Sequence, residues 1–231
     1  MKIYTKDCGE ETLFIAENIS DDYKQVMESQ FYSLQNGSYI KKYPSHLIHL
    51  KQIRNNYEKY AEEMFKQMGY FKKVFWKEAI SNFIHMVDGH DIDWWLTGSC
   101  ALCLRGIEVM PHDVDIILHA KDIEKINSIF HDYIVEPIVS MDDWVVDYFG
   151  VMFLNARIDL AFDPKKFVDV PVPADFGPFA MEHLEEIDFN GHVIKIPPLH
   201  LQYEVNKRRG RHDRVKAIKA HMQNNKTNIS I

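Results

Sequence analysis

The sequence predicts an α/β (α+β) protein, a mixed sheet flanked by helices, with a small N-terminal α+β appendage. Three observations carry that prediction. Residues 94–119 read as strand, glycine turn, short helix, loop and strand. Two long stretches ahead of them place apolar residues every three or four positions, the period of helices that bury one face. Asn36-Gly37 and Asn190-Gly191 each sit between short alternating runs, the signal of a tight hairpin. The expected division is an appendage over 1–45 and a main domain over 46–231, the latter ending in a hairpin and a basic helical segment.

Composition bounds the class. The chain has 231 residues, 46% hydrophobic and 13% aromatic, ample for a packed core. Its apolar runs fall far short of the roughly 20 residues that span a bilayer, and Met1–Asp7 lacks the apolar core of a signal peptide. The cytoplasm is the expected compartment. Cys8, Cys100 and Cys103 make no disulfide framework. Cys100-x-x-Cys103 has no second ligand pair to complete a zinc site, so both read as small core residues on one helix. A formal charge of −7 argues against a surface that grips long nucleic acid, though not against a nucleotide or a tRNA end. Lys207, Arg208, Arg209, Arg211, Arg214, Lys216 and Lys219 nevertheless crowd one stretch, opposed only by Asp213. Such a stretch is a solvated face or a phosphate contact.

In chain order, Glu11–Ala16 reads as a strand, Ser20-Asp21-Asp22 as a helix start, and the runs around Phe31 and Tyr39 as a hairpin. Pro44-Ser45 introduces a long helix ending at Gly69, and a second helix is expected from about Lys72 to Val87. Asp91-Ile92-Asp93 precedes the glycine turn and reads as a decoy. After the central motif come a helix bearing Ile123 to Phe130, strands over 134–139 and 148–154, and a strand over 157–162 that Asp163-Pro164 closes. Prolines 171, 173 and 178 mark an irregular loop, the expected lid or acceptor-side wall. Pro197-Pro198 then opens a helix that Gly210 ends.

The chemistry concentrates in Gly98-Ser99 and Asp113-Val114-Asp115. As a strand, the latter points both carboxylates to one face. Like charges that close oppose each other's ionisation unless a cation lies between them, and hard oxygen ligands suit magnesium bridging to phosphate. Gly98-Ser99 at a helix start supplies N–H donors for the same phosphates. His112 reads as a supporting residue rather than a ligand.

Gly-Ser followed, after a short helix, by Asp-x-Asp resembles the nucleotidyltransferase fold of the polymerase-beta superfamily, and within it the small bacterial aminoglycoside- and lincosamide-type enzymes. The segments Ile196-Pro197-Pro198 and Gly210–Arg214 resemble the same group. The resemblance implies a third carboxylate on a later strand, and Asp159, between apolar neighbours, fills that place. It further implies Asp113, Asp115 and Asp159 as catalytic and metal-binding residues for Mg2+, with Gly98, Ser99 and Arg105 toward the nucleotide. Asp159 is then either a metal ligand or the base that takes the acceptor's proton. The implied reaction moves a nucleoside monophosphate, AMP from ATP being favoured, onto a hydroxyl of a small molecule such as an antibiotic. Two alternatives stand beside it: transfer to a protein or tRNA docked on the basic segment, and a non-catalytic nucleotide-binding module.

Overall fold

The computed structural model describes residues 1–228, which fold around two sheets sharing one core. The first sheet holds β1 (Lys2–Cys8), β2 (Glu11–Glu17), β3 (Ser33–Gln35) and β4 (Ser38–Pro44), all antiparallel in the order β1-β2-β4-β3. Between β2 and β3 runs a short helix, α1 (Lys24–Ser29). Asn36 and Gly37 take φ of 49° and 80°, the left-handed pair that a two-residue hairpin needs, and Gln35 faces Ser38 across the turn.

Helices α2 (Leu50–Met68) and α3 (Trp76–Val87) each begin four or five residues later than the sequence pattern suggests. Backbone hydrogen bonds explain both delays. The Ser45 amide is committed to the Glu10 carbonyl, extending the strand ladder. The amides of Phe71 and Lys72 both turn back to the Lys66 carbonyl and close α2, so a new helix cannot start there.

The second sheet carries the motif. It comprises β5 (Trp94–Thr97), β6 (Val114–Leu118), β7 (Ile134–Ser140), β8 (Val146–Leu154) and β9 (Ala156–Pro164), in the order β5-β6-β9-β8-β7. Only β6 and β9 run parallel, so the sheet is mixed as expected. Helix α4 (Gly98–Leu104) follows β5, and α5 (Ile123–Ile129) follows β6. Beyond β9 come α6 (Pro178–Met181), the hairpin of β10 (Glu185–Phe189) and β11 (His192–Ile196), then α7 (Leu199–Arg208) and α8 (His212–Asn228). Among the described residues no helix is long and apolar enough to cross a membrane.

One hydrophobic core joins the two sheets through α2 and α3. Phe14 packs edge-on to Tyr43 and Tyr57, Tyr32 to Phe65, and Phe83 stacks on Phe130. Each such side chain contributes on the order of 1.5–3 kcal/mol by leaving water. A polar tie reinforces the junction. Glu136 of β7, 1% exposed, accepts from Lys41 Nζ at 2.5 Å, Tyr43 at 2.8 Å and Tyr32 at 3.1 Å, all three from the N-terminal segment.

Candidate active site

Strand pairing assembles the acidic cluster. Asp115 lies directly opposite Asp159 across the parallel β6–β9 pair, and Asp113 is two residues before Asp115. One carboxylate oxygen from each of Asp113, Asp115 and Asp159 lies within 4.8 Å of the others, and all three residues are half-buried. Three oxygen donors this close form a set that fits a hard divalent cation.

Crowding sets their protonation. Burial, then Asp115 and Asp159, push Asp113 well above the usual carboxylate range, with Arg157 and Arg214 opposing. Burial and the charge of Asp159 push Asp115 up to about 6. Asp159 is also raised by burial, although the Arg157 guanidinium beside it works in the other direction.

The glycine turn is fitted to this cluster. Gly98 has φ +66°, and a Cβ built on it would fall 1.9 Å from Asp115 Oδ2. Only glycine allows that approach. The buried Gln202 of α7 donates to the Gly98 carbonyl at 3.0 Å, and Cys100 Sγ donates to the Asp113 carbonyl at 3.2 Å, tying α4 to the start of β6. Ser99 is buried at the first turn of α4. Cys100 and the half-buried Cys103 are free thiols on α4, as expected of small packing residues.

Arg105 is not brought to the site. It lies past the last turn of α4, about 10 Å along the helix from Gly98. Its guanidinium donates to Glu185 at 2.5 Å and to the Pro197 carbonyl at 2.8 Å, anchoring α4 to the C-terminal hairpin. The Asp91/Asp93 pair also stands outside the cluster, with Asp93 paired to Lys195 at 2.7 Å.

Three arginines of the basic stretch lie near enough for their charges to reach the carboxylates. Arg209 and Arg211 act on Asp115, and Arg214 acts on Asp113. Burial and mutual repulsion with Arg214 and Arg209 lower the Arg211 pKa. Among the described residues none of these three has a carboxylate within salt-bridge distance, which leaves a group of guanidiniums without a fixed counter-ion. Asp175 is a fourth carboxylate of the region, 5% exposed, in the proline-rich loop; Thr97 donates to its backbone carbonyl at 3.0 Å. Its setting among Ala174 and Phe176 is the same apolar flanking that marks Asp159.

Comparison with known proteins finds one family model and several solved structures similar to parts of the chain. Residues 79–160 match the family model described as aminoglycoside-2''-adenylyltransferase, a span that runs from α3 to the middle of β9 and includes all three aspartates. No curated protein matches the chain. Among solved structures, a candidate nucleotidyltransferase from Thermotoga maritima aligns at 17% identity and TM-score 0.48, covering 63% of this chain and 91% of that one. A lincosamide antibiotic adenylyltransferase bound to lincomycin aligns at 12% identity and TM-score 0.45, covering 62% and 96%. An aminoglycoside nucleotidyltransferase in complex with adenylyl-2''-tobramycin aligns at 10% identity and TM-score 0.40, covering 65% and 91%. Residues 79–160, the stretch that holds the three aspartates, are thus similar in sequence to the aminoglycoside-2''-adenylyltransferase family.

Proposed function

We propose that this protein is a magnesium-dependent nucleotidyltransferase that moves a nucleoside monophosphate, AMP from ATP being favoured, onto a hydroxyl of a small, antibiotic-like molecule. The observation that carries the reading is the convergence of Asp113, Asp115 and Asp159 within 4.8 Å, in reach of the charges of arginines that have no fixed counter-ion. Asp113 and Asp115, with Asp159, would hold Mg2+. A bound divalent cation supplies charge neutralisation at the triphosphate and polarises the reacting oxygens.

The chain's own groups do the rest. Arg209, Arg211 and Arg214, with the N–H groups after Gly98 and the Ser99 hydroxyl, would seat the triphosphate. The acceptor oxygen forms a bond to the α-phosphorus while the bond to pyrophosphate breaks. Arg157 occupies Asp159 Oδ1, so Oδ2 is the oxygen available to take the acceptor's proton.

The basic segment changes meaning in this arrangement. The charges of Arg209, Arg211 and Arg214 reach the carboxylates, and Arg208 donates to the carbonyls of Val172 and Pro173. A docked protein or tRNA would have to share Arg209 and Arg211 with the nucleotide. A thermal-shift panel of the four ribonucleoside triphosphates, with and without Mg2+, tests the reading. We expect a Mg2+-dependent rise with ATP that disappears in Asp113→Asn/Asp115→Asn; no rise with any triphosphate would overturn it.

A further inference from the structure

Among the described residues, eight non-glycine residues have positive φ, and six of them are Asn or Asp, which tolerate the left-handed region. The other two are Phe31 and Tyr70. Phe31 is seated against Trp144, in the N-terminal half of the chain. Tyr70, at φ +58°, is the left-handed residue that closes α2, its amide donating to the Gln67 carbonyl and that of Phe71 to the Lys66 carbonyl, and this cap turns its ring out beside His112, the neighbour of Asp113.

Tyr70 is fixed rather than loose. Its hydroxyl donates to the Met110 carbonyl at 2.9 Å, and its ring lies 4.2 Å from that of His112, tilted by 36°. His112 is itself pinned, since its Nδ1–H donates to the Met68 carbonyl at 2.9 Å. The residue after His112 is Asp113. Tyr70 remains 39% exposed, and Met110 beside it is 64% exposed, so an aromatic and thioether surface faces solvent next to the first carboxylate.

The two sides of the acidic cluster differ in exposure. On one side Asp159 is bonded to the buried Arg157, and the buried Glu136 is held by its tyrosines. On the other, next to Asp113, Tyr70 and Met110 reach solvent, and the charges of Arg214 and Asp113 both act on Tyr70.

The geometry points to Tyr70, backed by His112 and flanked by Met110, as the platform on which the donor's nucleobase stacks. This rests on the nucleotidyltransferase reading. The cap of α2 aims the ring, and two hydrogen-bonded supports hold it still: its own hydroxyl on the Met110 carbonyl and His112 on the Met68 carbonyl. Stacking recognises the π-face of a base rather than its edge, so purines should bind better than pyrimidines through their larger area.

Calorimetric titration of the full chain with Mg2+-ATP and with base-free Mg2+-tripolyphosphate tests it. Tyr70→Asn removes the ring and suits the left-handed backbone, so the variant should fold at least as well as the parent. Tyr70→Phe keeps the ring and removes only the hydroxyl. We expect Tyr70→Asn to weaken ATP about tenfold while tripolyphosphate binding is unchanged, and Tyr70→Phe to stay within about twofold for ATP. Unchanged ATP binding by Tyr70→Asn overturns the platform and leaves the nucleotidyltransferase reading intact. Equal weakening of ATP and tripolyphosphate also overturns it, because the effect is then on the phosphates. If the parent binds neither ligand, the underlying reading falls together with the platform.

Discussion

Arg157 donates from Nε to Asp159 Oδ1 at 2.5 Å, two residues apart on one face of β9. The guanidinium is 2% exposed, and the charges of Asp159, Glu136 and Asp113 all favour it against the cost of burial. Glu136 is in turn held by Lys41, Tyr43 and Tyr32. Two bonded groups thus lie between β4 of the N-terminal sheet and the candidate base, and the charges of Glu136 and Arg157 act on each other across them.

Replacing Arg157 separates charge from geometry. Arg157→Lys keeps the cation but loses the planar fork, and we expect kcat/KM to fall about 10- to 100-fold with the fold retained. Arg157→Met leaves Asp159 without its bonded cation and should cost about 3 kcal/mol in urea unfolding. Wild-type kinetics in Arg157→Lys would remove Arg157 from the catalytic account.

The link to the N-terminal sheet is measurable by a double-mutant cycle. Lys41→Met removes the cation nearest a fully buried Glu136, for which we expect a loss of about 3 kcal/mol, at the low end because both tyrosines remain. Glu136→Gln in the same background should recover much of that loss. Additive effects would mean that the pair is not coupled.

Gly98→Ala places a methyl group in a left-handed residue and against Asp115 Oδ2. The backbone alone should cost about 1–3 kcal/mol, and displacement of the carboxylate should lower turnover about 100-fold or more. Activity within a few-fold of the parent would show that Asp115 need not stand where it does.

The raised carboxylates give a pH signature. Asp115 titrates at about 6 in the folded chain against 3.8 for the ordinary group, so the folded state binds more protons between those values. Metal-free stability should therefore fall as pH rises from about 4 through about 6. A cation on the cluster reverses the preference, so the Mg2+-induced rise in Tm should grow over the same interval. Melting curves in EDTA and in Mg2+ across that range check both; a Mg2+ effect independent of pH would contradict the assignment of the ligands.

Much of this was legible in the chain. Gly98, the Asp113/Asp115 alternation and the apolar flanks of Asp159 are local signals, and strand pairing brought them together in the expected order. Arg105 was misplaced because nearness in sequence to the glycine turn was read as nearness to the phosphates, whereas a seven-residue helix carries it to the far end. The arginines of 209–214 were visible as a cluster, but their nearness to the carboxylates depends on how α7 and α8 pack, which no local pattern encodes. The same holds for Asp175, brought in by an irregular loop, and for Glu136, whose partners lie 93 to 104 residues away. Tyr70 follows a helix-ending glycine, and nothing in its neighbours announces a left-handed residue.

The most direct test of the central claim is transfer itself. The full chain would be incubated with ATP labelled at the α-phosphate, Mg2+, and a panel of hydroxyl-bearing aminoglycosides and lincosamides, beside Asp113→Asn and Asp159→Asn. The account predicts label on an acceptor, stoichiometric pyrophosphate, and a loss of about 1,000-fold or more in each variant. Transfer that persists undiminished in both variants, or no transfer from ATP to any acceptor, would contradict it.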